Sequence, residues 1–181
     1  MNLSLLLVGL AKAAFGIVVG AVGIFVASRA LHRLIGSGST DTGQREGNVA
    51  IGVLKAGSLV ALGILLQHAV SATFDAMDLL YRDAAITGKA IGRLGVYAGL
   101  HVGLSIVVSA VVLALGTWLF THLTRGVDEM EEIRGGNMAP AVVLAAVMVV
   151  LALMTAPGLQ MALDGLLPLP TLARDQVAGS A

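Results

Sequence analysis

Three side chains could handle protons from inside long apolar runs: Lys12, His101 and His68. Lys12 lies about eight residues into the first such run, roughly 12 Å along a helix, and His68, preceded by Gln67, closes the second. A lysine near the centre of a bilayer costs about 2.5–3.5 kcal/mol on insertion scales, so it requires a partner, water or the neutral state. Together with Asp75 just beyond them, these residues could form a polar cluster that passes or senses protons. Each also has a plainer reading. Lys12 can snorkel along its four-carbon stem, and a histidine at a span end can serve as an interfacial hydrogen-bonding group. A metal site is disfavoured because the histidines lack paired ligand spacing with carboxylates beside them, and no cofactor is implied.

The elements that hold these groups follow from composition. Of 181 residues, 57% are apolar and 12% charged, far from a soluble domain of this length. Crossing a hydrocarbon core of about 30 Å takes about 20 helical residues, and four stretches suffice, near 3–29, 49–73, 94–120 and 138–160. Lys12 interrupts the first and Lys55 the second. The first is read as a retained span, because a basic n-region is missing and the run is too long for a signal peptide. There is no cysteine, which excludes disulfides, thiolate metal sites and cysteine nucleophiles. Zero net charge without a basic run removes the footprint of a nucleic-acid binder.

The chain matches itself at one offset. Arg45, Gly47, Asn48 and Ala50 fall on Arg134, Gly136, Asn137 and Ala139, each 89 positions on, and Lys12 falls on His101 and Asp75 on Asp164. This predicts an all-α membrane protein of four transmembrane helices, built from two helical hairpins. An even number of spans per unit makes the repeats parallel, with any pseudo-two-fold axis along the membrane normal. The expected organisation is a first repeat over 1–75, an interfacial connector with a short helix over 76–93, a second repeat over 94–164 and a mobile tail over 165–181.

The tandem unit, with GNVAIG at 47–52 and GNMAPA at 136–141 opening each second helix, resembles the YjfL-like bacterial inner-membrane proteins, domain-of-unknown-function family 350. The first box departs from the second in having Ile51 where the second has Pro140. The resemblance implies a small inner-membrane protein without an established biochemical role, whose relatives are associated with membrane-stress proteins of the phage-shock type. It carries over no catalytic residue.

Within the seam, Asn48 and Asn137 are placed to cap the following helices, Gly47 and Gly136 to permit the sharp turn, and Pro140 falls in a first turn where no amide donor is needed. Lys12, Gly16 and Gly20 form one i, i+4, i+8 row and His101, Ser105 and Ser109 its counterpart. Gly95, Gly99 and Gly103 form a second small-residue stripe. Such rows allow close helix approach in lipid, so the first and third helices are expected to meet each other or their neighbours through them. The acidic run at 128–134, with Asp128, Glu129, Glu131 and Glu132, reads as a solvated loop and the first place to look for a docking partner.

Six basic residues in or flanking the loops within each unit, against five on the other side, lean towards those loops in the cytoplasm and both termini in the periplasm. Two functions compete. The favoured one is a structural or regulatory membrane component, homo-oligomeric and engaging a cytoplasmic membrane-stress protein. The alternative is a small channel or proton-coupled carrier using Lys12, His68 and His101. An enzyme is not expected, since no nucleophile motif or paired carboxylates lie at membrane depth.

Overall fold

A computed structural model of the chain describes residues 3–35, 47–82, 87–123 and 128–166. These form five helices: α1 (Leu3–Ile35), α2 (Val49–Arg82), α3 (Gly88–Leu123), the short α4 (Glu129–Arg134) and α5 (Met138–Leu166). Among the described residues there is no strand. Helices α1, α2, α3 and α5 are each long and apolar enough to cross a bilayer, so the protein is a multi-pass, all-α membrane protein. The tail expected over 165–181 lies almost wholly outside the described residues.

Both second helices begin where the seam motif predicts, α2 at Val49 and α5 at Met138. The reason is local. Gly47 and Gly136 have φ of 75° and 93°, a left-handed backbone that disfavours side chains. Each following asparagine then accepts a hydrogen bond from a first-turn amide: Asn48 Oδ1 from Ile51 N at 3.2 Å, and Asn137 Oδ1 from Ala139 N at 3.1 Å. The two glycines and the two caps are again 89 positions apart.

Among the described residues, the expected interfacial helix over the connector does not appear as a separate element. Instead α2 runs on to Arg82 and α3 begins at Gly88. The cause is packing, because Ala72 and Ala76 of α2 are buried with Tyr97 of α3 and Leu94 packs against them.

Helix α2 is the centre of the bundle and packs on α1, α3 and, most extensively, α5. In lipid, burial of apolar surface does not drive helices together, so close van der Waals approach must. It is achieved at Gly57, where an added Cβ would stand 2.5 Å from Ala145 Cβ and 2.9 Å from Ala145 Cα. The main apolar cluster forms around this crossing, with Leu54, Ala61 and Leu65 of α2, Leu113 of α3, and Leu144, Met148 and Ala152 of α5. Helix α1 is peripheral and leaves Leu10, Ile17, Val18, Ile24 and Phe25 on the outer surface for lipid.

Because Ala145 meets Gly57 through backbone and Cβ atoms, Gly57→Ala must separate the two helices. Overpacking of this kind costs about 1–3 kcal/mol. Thermal unfolding in detergent or lipid is expected to show the loss, and Ala145→Gly in the same chain to recover most of it.

Candidate functional site

The antiparallel arrangement brings the starts of α1 and α3 beside the ends of α2 and α5, so the ionisable residues gather at one end of the bundle. Lys12 Nζ lies 2.7 Å from Asp78 Oδ1 and 5.5 Å from the centre of the Phe74 ring, which Phe15 meets edge-on at 6.2 Å. Lys12 is therefore held by an ion pair and an aromatic face, and does not stand open on a pathway. The carboxylate that the sequence pointed to, Asp75, is exposed, and Asp78, one turn further on, takes the lysine.

His68 and His101 lie deeper in the bundle. His68 Nε2 is 3.2 Å from Asp164 Oδ1 of α5, and Asp164 is itself exposed at the bundle end. His101 is wholly buried, 0% exposed. Its Nδ1 is 3.2 Å from the Tyr97 carbonyl oxygen, and its ring lies 4.1 Å from that of Tyr97. A carbonyl accepts only, so Nδ1 carries the proton and donates, leaving Nε2 of the neutral ring as an acceptor. Nε2 has no protein partner. His68 and Asp164 are within electrostatic reach of His101, and Asp75 and Asp164 within reach of Tyr97. An exposed carboxylate, a half-buried histidine and a buried histidine with a free acceptor nitrogen thus occupy one region.

The row begun by His101 continues along the same face of α3. Ser105 and Ser109 are both fully buried, the Ser109 hydroxyl donates to the Ser105 carbonyl oxygen at 2.7 Å, and Ser105 Oγ has no protein partner. The equivalent row on α1 is less enclosed: Gly16 has only Phe74 Cζ within reach of an added Cβ, at 4.0 Å, and Gly20 has no neighbour there and is exposed. Gly95, Gly99 and Gly103 likewise have open space where a Cβ would be and face outward. The tight contacts fall on glycines outside these rows. A Cβ on Gly23 would stand 2.8 Å from Leu62 Cδ2, and one on Gly116 would stand 3.2 Å from Met148 Cγ. Spacing identifies a smooth helix face but not the helix that covers it.

At the opposite end, the acidic run is a capped helix of its own. Asp128 accepts from Glu131 N at 3.1 Å at the start of α4, and at its end Gly135 N donates to Glu131 O at 2.8 Å and Asn137 N to Glu132 O at 2.9 Å. Asp128, Glu131 and Glu132 are exposed, with Asn137 Nδ2 donating to Glu132 Oε2 at 2.8 Å. Glu129 points the other way: it is 6% exposed, beside buried Met130 and Ile133, and its Oε1 has no protein partner. It does not belong to an outward docking face.

Asn48 does more than cap. Its Nδ2 donates to the carbonyl oxygens of Ile133 at 3.2 Å and Arg134 at 2.9 Å, the last residues of α4. Carbonyls at a helix end have no partner within the helix, so the start of α2 completes the end of α4. Local sequence could reveal the cap but not this long-range bond. Among the described residues no three His, Asp or Glu side chains assemble into a metal-binding group.

The family model described as Domain of Unknown Function (DUF350) matches residues 4–159. No curated protein matches the chain, and no solved structure does.

Losing a cap costs about 0.5–2 kcal/mol. Asn137→Ala is expected to show a loss of that order in unfolding measurements. Asn48→Ala is expected to cost more, because two carbonyls of α4 lose their donor as well, and hydrogen exchange in α4 should rise more for the Asn48 variant than for the Asn137 variant.

Proposed function

The chain belongs to the DUF350 family, and from that premise we propose that it is an inner-membrane protein that takes up and releases protons at His101, as part of a small channel or proton-coupled carrier. One observation carries the reading: a histidine buried within a membrane span has its Nδ1 committed to a carbonyl and its Nε2 without a protein partner. A structural histidine in lipid would be expected to have both nitrogens satisfied, since unpaired polar groups there are costly. His68 and Asp164 supply the route to the aqueous end, with Asp164 as the exposed group. Lys12 and Asp78 balance each other's charge beside that route. Two parallel repeats of a helical hairpin fit a path between units, the arrangement known for parallel-repeat carriers. No catalytic role is assigned.

The second reading, a regulatory component of the envelope-stress response, draws on the family resemblance and on the outward acidic face of Asp128, Glu131 and Glu132. It assigns a homo-oligomer in the bilayer and a cytoplasmic membrane-stress protein at that face. Neutralising Glu131 and Glu132 to glutamine and recovering partners from native lipid tests it, and unchanged recovery removes the face from the mechanism.

For the proton reading, the measurement is the imidazole nitrogen resonances of His101 in lipid. A reversible change at Nε2 is expected as the pH is lowered. The Asp164→Asn variant should slow its exchange with bulk water. A His101 ring that stays in one state however far the pH is lowered while the protein remains folded would sink the proposal.

A further inference from the structure

One face of α2 is left uncovered by the other described helices. Gly52, Ala56, Val60, Gly63 and Gln67 are all exposed on it, and at 3.6 residues per turn they fall within an arc of about 80°. An added Cβ on Gly52 or Gly63 would meet nothing within 4 Å. Small residues alone do not identify a partner, since Gly95, Gly99 and Gly103 of α3 are as open. What distinguishes the α2 row is its counterpart in the other half of the chain.

At the offset of 89 positions the row becomes Ala141, Ala145, Val149, Ala152 and Ala156 of α5, and there it is covered. Ala141, Ala145 and Ala152 are buried, and Val149 and Ala156 pack against the main apolar cluster. The cover over Ala145 is Gly57 of α2, and the neighbouring Met148 meets Ser58. The α2 surface that receives α5 thus lies on nearly the opposite side from the exposed row, with Leu54, Gly57, Ser58, Ala61 and Leu65. Its own counterparts on α5 are Val143, Ala146, Val147, Val150 and Met154, which are exposed apart from the half-buried Val147. The α2 and α5 helices therefore meet through unmatched surfaces. Such a head-to-tail contact leaves one surface of each kind uncovered.

We propose that the exposed row of α2 receives the outer face of α5 from a second copy of this chain, so that the α2–α5 contact of the interior is repeated between molecules. Carried over by the offset, the contact of Gly57 with Ala145 becomes one of Ala146 in one copy with Ala56 in the next. The room needed for close approach changes sides. Gly57 is replaced by Ala146, while Ala141 and Ala152 are replaced by Gly52 and Gly63, and small residues of either helix allow backbones to approach in lipid. Within the chain, the pairs Gly57 with Ala145, Ser58 with Met148 and His68 with Asp164 advance together along both helices, so α2 and α5 run parallel. A second contact of this kind gives both copies the same orientation in the bilayer.

The polar groups of the two surfaces are complementary as well. Pro157 lies inside α5 and is exposed, and because proline has no N–H the Leu153 carbonyl lacks its helical donor. Leu153 is itself exposed, and lipid offers such a carbonyl no donor. Gln67 and Pro157 each lie eleven residues beyond Ala56 and Ala146, so parallel helices of equal rise bring the Gln67 amide level with this part of α5. There it donates to the Leu153 carbonyl of the adjoining copy. Successive copies close into a ring or continue as a row according to the rotation between them.

The chain has no cysteine, which makes disulfide trapping a direct test. Full chains carrying Ala56→Cys and full chains carrying Ala146→Cys are produced in the same membranes and oxidised with copper phenanthroline. A linked dimer is expected only when both are present, because a head-to-tail contact pairs unlike positions. Adding Gly63→Leu to the Ala56→Cys chain should lower the dimer yield at least about tenfold by filling the seat, and Gln67→Leu should also lower it. Gly99→Leu, on the open stripe of α3, should leave the yield unchanged.

A dimer formed by either single-cysteine chain alone means that matched faces meet, and it overturns the head-to-tail contact while leaving a homo-oligomer. Absence of a dimer from the mixed chains, or a yield that Gly63→Leu does not change, removes the interface altogether. The proton reading of His101 does not use this interface and is decided by the imidazole resonances alone.

Discussion

The contact between Gly57 and Ala145 is the constraint from which the rest of the bundle follows. Two helices that enter from the same side can approach this closely only where one of them has no side chain. Bulk at residue 57 would separate α2 from α5, and with them the groups each carries towards the other. Asn48 would move from the carbonyls at the end of α4, Ser58 from Met148, and His68 from Asp164. The last two occur in the middle and at the far end of the α2–α5 pair, and the first ties the start of α2 to α4, which leads into α5. A membrane protein gains little from excluding water between helices, so its specificity rests on such close approaches and on internal hydrogen bonds.

The two ends of the bundle use polar groups differently. At the loop end they are mostly satisfied locally: asparagines cap, glycines turn, and carbonyls of α4 receive donors from residues a few positions on or from Asn48. This is what positions a short helix between two spans. At the other end the groups are ionisable and are shared between helices, Lys12 with Asp78 across α1 and α2, His68 with Asp164 across α2 and α5. Cross-helix pairing at membrane depth avoids leaving single charges in lipid. His101 is the exception, since its second nitrogen has no such partner, and the proposed proton reading rests on it.

The two halves that the 89-residue offset matches are not packed alike. Lys12 and His101 occupy equivalent sequence positions, yet one is held in an ion pair beside a phenylalanine and the other is enclosed. The difference arises because α3 lies against both α2 and α5, while α1 packs mainly on α2 and has most of its apolar surface turned to lipid. Two positions matched by the 89-residue offset thus have different surroundings. In the proton reading, the buried copy does the chemistry and the outer copy balances charge.

The sequence by itself determined the number of spans, the places where the second helices begin, and the cap and left-handed glycine at each seam. These depend on local length, hydropathy and backbone conformation, which neighbouring residues specify. It also pointed to Lys12, His68 and His101 as the unusual groups, because an ionisable residue in an apolar run is visible without a structure. Tertiary structure alone decided their partners. Asp78 rather than Asp75 holds Lys12, Asp164 meets His68 from another helix, and Gly23, Gly57 and Gly116, none of them in the predicted rows, make the tight contacts. Glu129 turned inward while its neighbours stayed out, and the connector was drawn into two long helices. All of these depend on which helix lies against which and at what rotation, and helical spacing along one chain constrains neither.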